Sequence, residues 1–420
     1  MTIETIRFPN GLRLLLDEMS HANSCTVHLC VASGLRYEQA GQAGISHMIE
    51  HMLFKGTATK SARQLAEAAD DRGASMNAYT CKEYTSLYAR SLPEHVPAML
   101  GLLADMVRNS KLGENDLALE RGVVIEEIAM YEDSPEDRAF DLFYESVWPD
   151  HPLGQNILGT RESLAALKPD DLRGHMARCY TPDRMVLSIS GRFVPGEIKQ
   201  VAEELFGDIP SSAPAAFELS PASFVAKNRF EAKTVEQNQL ILAFPGCSGQ
   251  DPRRYRASLL STMLGGSSSS RLFQRLREEL GLCYSVDFFN IHHRHEGVSG
   301  VAMGLSAKTQ PRALGEVLAI LRDFPDSVTE QELRRAQEQA SAGLVMSLES
   351  SAARASRAAY RELLYGCVCP VEDSIAAYRA VTLEEIRAFA RELLCHGSFA
   401  LCVLGKCKGK TRKAMENLLE

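Results

Sequence analysis

Two histidines and a glutamate lie within five consecutive residues near the start of the sequence. His47 and His51 are one helical turn apart, which is the spacing that lets two imidazoles bind one zinc ion. Glu50 lies between them, where a carboxylate can reach a water molecule at the metal without being a ligand itself. This HxxEH pattern is the inverted form of a sequence motif found in zinc hydrolases. The alternative is a solvated helix face that happens to contain two histidines.

A helix is predicted to present these three side chains on one face. Within Gly44–Thr57, apolar residues recur at the helical spacing i, i+3, i+4, i+7 and i+8 and should pack into a core: Ile45, Met48, Ile49, Met52 and Leu53. At about 100° per residue, the two histidines and the glutamate fall on the opposite side of that helix.

A catalytic zinc site usually has three protein ligands and keeps one position for water, so a third ligand is required. The best candidates are Glu120 and Glu127, which are seven residues apart and share a helix face with Val123 and Val124. Desolvating a carboxylate in an apolar stripe is costly unless a metal ion or an arginine compensates the charge. The sequence weighs these two explanations equally, and spacing alone does not distinguish Glu127 from Glu126.

The composition is that of an ordinary globular protein with two or three domains. The chain has 420 residues, of which 45% are hydrophobic, 24% charged and 7% aromatic, and this excludes disorder, collagen and a disulfide-stapled miniprotein. Its net charge of −8 disfavours a nucleic-acid binder.

Several features predict a cytoplasmic protein without a membrane span. The first residues lack the basic and apolar regions of a signal peptide, and no run of apolar residues is long enough to cross a bilayer. The 11 cysteines are scattered, which favours reduced thiols over disulfides or a cysteine-based zinc site.

The chain is predicted to consist of two related halves. Asp171–Gly191 resembles Glu385–Gly405, which lies 214 residues later, in the order of its elements, its apolar positions and its final glycine. A segment rich in proline, alanine and serine separates the halves and indicates a linker. The predicted organisation is therefore a domain at 1–209, a linker at 210–226 and a homologous domain at 227–420.

The fold class is predicted as α+β, with two modules of about 210 residues in tandem, each a mostly antiparallel sheet covered by helices. Strands are predicted at 3–8, 12–16, 25–32, 185–190, 237–244, 283–291, 298–305 and 399–404. Ser351–Leu364 is predicted as a helix with a solvated face, and the basic residues between Lys406 and Lys413 as a solvated tail.

The chain resembles the pitrilysin or insulinase family of zinc peptidases, and most closely the branch that includes mitochondrial processing peptidase and its bacterial relatives. In that family a glutamate far downstream of HxxEH is the third zinc ligand, and Glu127, 76 residues after His51, occupies its position. Glu120 matches a supporting acidic residue two helical turns earlier. The resemblance thus selects Glu127 over Glu126.

Two further segments carry the resemblance. Asn77–Thr80, with the sequence NAYT, is similar to the family's edge strand that takes up substrate as an added strand, which implies that Asn77, Ala78 and Tyr79 bind substrate. Gly265–Val286 matches a stretch in which an arginine and a tyrosine, here Arg277 and Tyr284, are catalytic. Leucines at helical spacing predict a helix before Gly281, and Tyr284 begins the next strand. As donors, the two side chains could stabilise an oxyanion.

The resemblance implies a zinc-dependent endopeptidase that cleaves unfolded or precursor peptides in an enclosed chamber, with Glu50 as general base. Family members of this length pair two chains, so a homodimer, or a heterodimer with a metal-free homologue, is expected. Aligning the halves places Ser258, Ser261 and Thr262 opposite His47, Glu50 and His51, so one Zn2+ per chain is expected.

Two alternatives to a peptidase stay open. The first is a non-catalytic peptide-binding or scaffolding subunit, against which the intact Glu50 argues because a structural zinc site usually has a fourth protein ligand. The second is a hydrolase of non-peptide amides, which uses the same zinc chemistry; the NAYT segment favours peptides.

Overall fold

The structure is a computed structural model that describes residues 3–211, 217, 219–395 and 397–419. Six residues of the predicted linker, 212–216 and 218, lie outside the described residues. None of the helices in the described ranges combines the length and the apolar character that crossing a membrane requires.

The described residues form eleven strands in two sheets. The strands are β1 Glu4–Arg7, β2 Arg13–Glu18, β3 Cys25–Val31, β4 Ser75–Thr80, β5 Thr85–Ser91, β6 Met185–Gly191, β7 Arg229–Glu231, β8 Asn238–Pro245, β9 Cys283–His292, β10 Gly297–Leu305 and β11 Ala400–Leu404. Eight of them agree with the predicted strands, and the edge strand β4 is the NAYT segment with two preceding residues, whereas β5 and β7 were not predicted.

Fifteen α-helices lie in the described part of the chain. They are α1 Ile45–Leu53, α2 Ala62–Asp70, α3 Val96–Asn109, α4 Glu114–Asp133, α5 Pro135–Val147, α6 Arg161–Ala166, α7 Pro169–Cys179, α8 Pro195–Phe206, α9 Arg254–Leu264, α10 Gln310–Ser327, α11 Glu330–Ser347, α12 Ser351–Tyr365, α13 Val371–Ala380, α14 Leu383–Leu394 and α15 Gly409–Glu416. A π-helical segment, Phe273–Glu279, precedes β9.

The two sheets share one strand order. The first runs β1-β2-β6-β3-β5-β4 and the second β7-β11-β8-β10-β9, so the second repeats the first without a counterpart of β1. In each sheet one pair is parallel, β2 with β6 and β7 with β11, and the other pairs between described strands are antiparallel. The predicted α+β class with two like modules is confirmed.

The chain divides into two compact units, and neither is one continuous segment. Unit 1 comprises Met1–Ile128, Asn156–Leu219 and Val345–Pro370; unit 2 comprises Ala129–Gln155, Ser220–Leu344 and Val371–Glu420. Helix α5 packs on β8 and β11 of the second sheet, and α12 packs on β3 and β6 of the first. Each half of the sequence therefore contributes one helix to the other half's sheet. The boundaries at 209 and 227 follow the tandem repeat and stay a prediction.

Of two predictions made from charge patterning, the solvated face of α12 is wrong and the solvated basic segment holds in part. Helix α12 has no exposed residue, because Arg354 forms a buried, bidentate ion pair with Asp17 of β2 while the helix alanines pack on the sheet. The basic residues Lys406, Lys408, Lys410, Arg412 and Lys413 are exposed, as the predicted solvated tail requires. Part of this segment nevertheless forms helix α15, in which Met415 is fully buried and the Arg412 guanidinium lies over the Phe230 ring. In both helices the arginine has a specific partner far away in sequence, which composition does not reveal.

Candidate metal centre

Helix α1 is held in unit 1 by its apolar stripe and by its first turn. The five predicted stripe residues are fully buried. Gly44, directly before the helix, has φ +87°, and a Cβ there would lie 2.5 Å from the Leu158 carbonyl oxygen, so glycine is required. The Glu38 carboxylate accepts hydrogen bonds of 2.9 Å from the backbone N–H groups of Gly44 and Ser46. These contacts fix the direction in which the opposite face of α1 points.

Helix α4 places two carboxylates against that face of α1. Its inner side is anchored by the buried residues Leu117 and Val124, and Glu120 is buried among them while Glu127 is half-buried. The prediction that Val123 lies in the buried stripe is wrong, because its side chain is 50% exposed.

Three side chains from α1 and α4 converge as a metal site requires. Ligand atoms of His47, His51 and Glu127 all lie within 4.8 Å of one another. The Glu127 Oε2 atom is 3.6 Å from Nε2 of His47 and 3.6 Å from Nε2 of His51. Tetrahedral zinc with bonds of about 2.0–2.2 Å separates its ligand atoms by about 3.4 Å, so two imidazoles and one carboxylate fit this ion. In the described residues no other group of His, Cys, Asp and Glu side chains meets the same criterion.

A second carboxylate, that of Glu120, contacts both His51 and Lys55. Glu120 Oε2 lies 3.0 Å from Nδ1 of His51, and its other oxygen lies 2.6 Å from the Lys55 ammonium. A carboxylate that accepts the Nδ1 hydrogen leaves the Nε2 lone pair of the same ring directed at a metal. Glu120 therefore has the geometry of a residue that orients His51.

The electrostatics of the cluster differ between its members. Burial, together with the neighbouring His51, lowers the pKa of His47 to about 4, which keeps its imidazole neutral. The close approach of the Glu127 carboxylate to Nε2 of His51, at 3.6 Å, raises the pKa of the histidine and lowers that of the glutamate. Burial raises the pKa of Glu50. A neutral imidazole and an ionised carboxylate are the forms that bind zinc.

Glu50 lies on the same face of α1 and faces the edge strand β4. Its Oε2 atom accepts a hydrogen bond of 2.6 Å from the Thr80 hydroxyl, at the end of that strand. Strand β4 pairs with β5 on one side and is the last strand of its sheet, so its other backbone edge is unpaired among the described residues of unit 1. Asn77, Ala78 and Tyr79 belong to this strand.

Arg277 and Tyr284 belong to unit 2. Arg277 lies in a π-helical segment, not in the predicted α-helix, and Gly281 after it has φ +57°, as a helix-ending glycine should. Tyr284 is the second residue of β9 and is 70% exposed. The Arg277 guanidinium carbon lies 5.5 Å from the centre of the Tyr284 ring, so the structure brings these two predicted residues together.

The three residues aligned with HxxEH in the second half lie on α9. The Ser261 hydroxyl donates a hydrogen bond of 2.7 Å to the Phe288 carbonyl oxygen of β9. Ser258 accepts a hydrogen bond from the Tyr378 hydroxyl, and the Thr262 hydroxyl bonds to the backbone one turn earlier. Hydroxyls with these partners form internal contacts and not a zinc site.

Sequence reasoning missed three side chains of this region: Glu38, Lys55 and Thr80. Lys55 is four residues after His51, a spacing that places both on one helix face, so its position could have been noticed. Glu38 and Thr80 act through contacts across loops and strands, for which the sequence contains no local signal. Thr80 is the last residue of the NAYT segment.

Comparisons with known proteins agree with this geometry. The model of the insulinase family, peptidase family M16, matches residues 13–161, and the model of the peptidase M16 inactive domain matches residues 166–340. A Bacillus subtilis protein named an uncharacterized zinc protease is 39% identical over 398 residues, which are 94% of this chain and 96% of that protein.

Solved structures show the same fold. A protease from Helicobacter pylori matches with a TM-score of 0.89 at 20% identity, over 96% of this chain and 99% of that one. A chain of complex III from Candida albicans matches with a TM-score of 0.85 at 18% identity, over 99% of this chain and all of that one. The two family models and the extent of the match to the Bacillus subtilis relative show that the chain belongs to the insulinase family of peptidases, family M16.

Proposed function

We propose that the protein is a zinc-dependent endopeptidase that cleaves unfolded or precursor peptides, with one Zn2+ per chain. The observation that carries this proposal is the convergence of His47, His51 and Glu127 within 4.8 Å, with the Glu50 carboxylate on the same helix face. Three ligands leave one coordination position for the reaction, which is typical of catalytic zinc. The name of the Bacillus subtilis relative supports the choice of zinc.

The zinc would be held by the two imidazoles and Glu127, and Glu120 would orient His51 through its Nδ1 atom. When bound, the metal supplies Lewis acidity, which polarises the substrate carbonyl and makes the attacking water more acidic. Glu50 takes a proton from that water on its carboxylate and passes it to the leaving amine. Tyr284 and Arg277 donate hydrogen bonds to the oxyanion of the tetrahedral intermediate. The raised pKa of Glu50 suits a group that first accepts and then releases a proton.

Peptide substrate would bind as an added strand on β4. An extended peptide can pair with the unpaired backbone edge at Asn77, Ala78 and Tyr79, in the mode that many peptide-binding domains use. The hydrogen bond from Thr80 to Glu50 joins this strand to the base, so a peptide on the edge would lie beside the reacting groups.

We further propose that two chains associate, as a homodimer or as a heterodimer with a metal-free homologue. Two findings support a paired arrangement: the match of residues 166–340 to a domain described as inactive, and the likeness to a chain of complex III. The absence of a zinc-type side-chain set on α9 supports the assignment of one metal to each chain.

The test combines metal analysis with cleavage assays on one preparation. The purified chain should contain about one zinc and cleave members of a quenched-fluorescent peptide library, and a chelator should abolish cleavage until zinc is restored. Zinc binding without cleavage of any peptide, alone or with a co-purified homologue, would favour the non-catalytic peptide-binding subunit instead. Cleavage that a chelator leaves unchanged would contradict the zinc mechanism.

A further inference from the structure

Thr80 is the last residue of the edge strand β4 and lies beside Glu50 of helix α1. Its hydroxyl donates a hydrogen bond of 2.6 Å to Oε2 of Glu50. Side chains alternate along a strand, so Thr80 points to the same side as Ala78, which is buried, and away from Tyr79. This hydroxyl lies outside the HxxEH motif and takes no part in the proton transfers proposed above.

The Glu50 carboxylate would otherwise have considerable freedom. A glutamate side chain has several rotatable bonds, and within the described part of the chain the Thr80 hydroxyl is the hydrogen-bond donor that the structure gives to this carboxylate. A hydrogen bond to Oε2 fixes the plane of the group and leaves Oε1 to accept a proton. The donor belongs to a strand whose backbone is paired with β5, Thr80 lying opposite Thr85, so it is itself held rigidly.

We propose that Thr80 is a positioning residue for Glu50 and that it links the orientation of the base to the strand that takes up peptide. A substrate strand added to β4 would order the last residues of β4. Through the Thr80 hydroxyl it would also order the Glu50 carboxylate. This inference rests on the proposed peptidase function. It concerns the orientation of Glu50 and not its affinity for a proton or for metal.

The test uses the full chain with zinc and compares Thr80→Val with Thr80→Ser. Valine has nearly the shape of threonine and suits a strand, so Thr80→Val removes the donor with little effect on the fold. For a peptide that the wild type cleaves, kcat should fall by about tenfold or more while KM changes by less than about twofold. Serine keeps the hydroxyl, so Thr80→Ser should restore kcat to within about threefold of the wild type. Zinc content should be equal in all three proteins.

Thr85→Val is the matched control. Thr85 pairs with Thr80 across the two strands, and its hydroxyl donates to the Ser33 carbonyl oxygen, away from Glu50. This variant should lose thermal stability without the loss of kcat, which separates positioning from a general loosening of the strand pair.

Three results would overturn the inference. They are an unchanged kcat in Thr80→Val, a kcat in Thr80→Ser as low as in Thr80→Val, and a fall in kcat of Thr80→Val that is explained by a lower zinc content of that variant. A wild type that cleaves no peptide would contradict the proposed function itself. In that event the crystal structure of the zinc-loaded Thr80→Val variant would decide the inference: an undisturbed Glu50 carboxylate would overturn it, and a displaced carboxylate with β4 intact would support it.

Discussion

Helix α1 beside β4 and helix α9 beside β9 occupy the same place in two sheets of the same strand order, yet only the first can hold a metal ion among the described residues. In unit 1 the helix presents two imidazoles and a carboxylate, and the contact to the edge strand runs from the Thr80 side chain to Glu50. In unit 2 the corresponding contact runs from the Ser261 hydroxyl to the backbone of β9. The scaffold is shared, and the capacity for chemistry depends on a few side chains.

The residues that follow α9 and α1 also differ. Gly265 follows α9, and a Cβ there would lie 2.2 Å from the backbone nitrogen of Phe288 in β9. At the aligned position after α1 stands Phe54, a large half-buried side chain. The backbone at the end of α9 thus lies directly against β9, whereas α1 contacts β4 through the Glu50 and Thr80 side chains. The two units therefore share a strand order and differ in the side chains on which a metal site depends.

The largest effect is expected from exchanging the base. Glu50→Gln should lower kcat for peptide cleavage by about 10²–10⁴-fold, because the amide cannot accept the proton, while zinc content stays unchanged. Ser261→Ala, at the aligned position of α9, should change kcat by less than about twofold. Kinetic assays and metal analysis of both variants check this, and full activity of Glu50→Gln would show that another group is the base.

Helices α5 and α12, each of which packs on the sheet formed mainly by the other half of the sequence, are held by different interactions. Helix α5 is held on the second sheet by the buried rings of Phe143 and Trp148, whereas α12 is held on the first by the buried Arg354–Asp17 ion pair. Arg354→Met should destabilise the protein by about 3–5 kcal/mol, because it leaves the Asp17 carboxylate buried without its partner. Arg361→Met on the same helix should cost less than about 1 kcal/mol. Urea unfolding followed by fluorescence measures both, and equal midpoints would refute a role of the ion pair in anchoring α12.

A smaller effect is expected in unit 2, which supplies the proposed oxyanion donors. Tyr284→Phe removes one hydroxyl and should lower kcat by about tenfold to a hundredfold, with unchanged zinc content. Tyr378→Phe, which removes the hydroxyl bonded to Ser258 beside α9, should leave kcat within about twofold of the wild type. If the two variants had the same kcat, Tyr284 would have no part in the reaction.

The smallest effect concerns acid stability. His28 of β3 is buried, its Nε2 atom lies 2.7 Å from the Ser86 hydroxyl, and burial lowers its pKa from 6.5 to about 4. In the unfolded chain His28 binds a proton below about pH 6.5, whereas in the folded chain it binds one only below about pH 4. The free energy of unfolding therefore falls as the pH drops through this window. His28→Gln should remove about 1 kcal/mol of the loss measured between about pH 6.5 and 5.5. Identical pH profiles of unfolding would contradict this.

The sequence predicted the parts of the site that local spacing determines. The stripe on α1 and the strand β3 before it follow from periodicity, and every stripe residue is buried as predicted. Strand β4 was predicted from the resemblance to the family. The choice of Glu127 over Glu126 required the resemblance to a family. The structure supplies the physical reason, since Glu126 is exposed whereas Glu127 is half-buried and points at both imidazoles.

The remaining features depend on contacts between distant segments. The exchange of α5 and α12 between the sheets, the Arg354–Asp17 ion pair and the helical C-terminal segment arise from tertiary packing, which composition does not encode. The π-helical segment before β9 carries a leucine pattern that an α-helix also satisfies, so periodicity could not distinguish the two.

The central claim is that His47, His51 and Glu127 bind one zinc ion, and the zinc content of two glutamate variants tests it most directly. Elemental analysis should find about one zinc per chain in the wild type and in Glu126→Gln, and less than about a tenth of that in Glu127→Gln, because a neutral amide is a poor zinc ligand. A full complement of zinc in Glu127→Gln, or its loss from Glu126→Gln alone, would contradict the account.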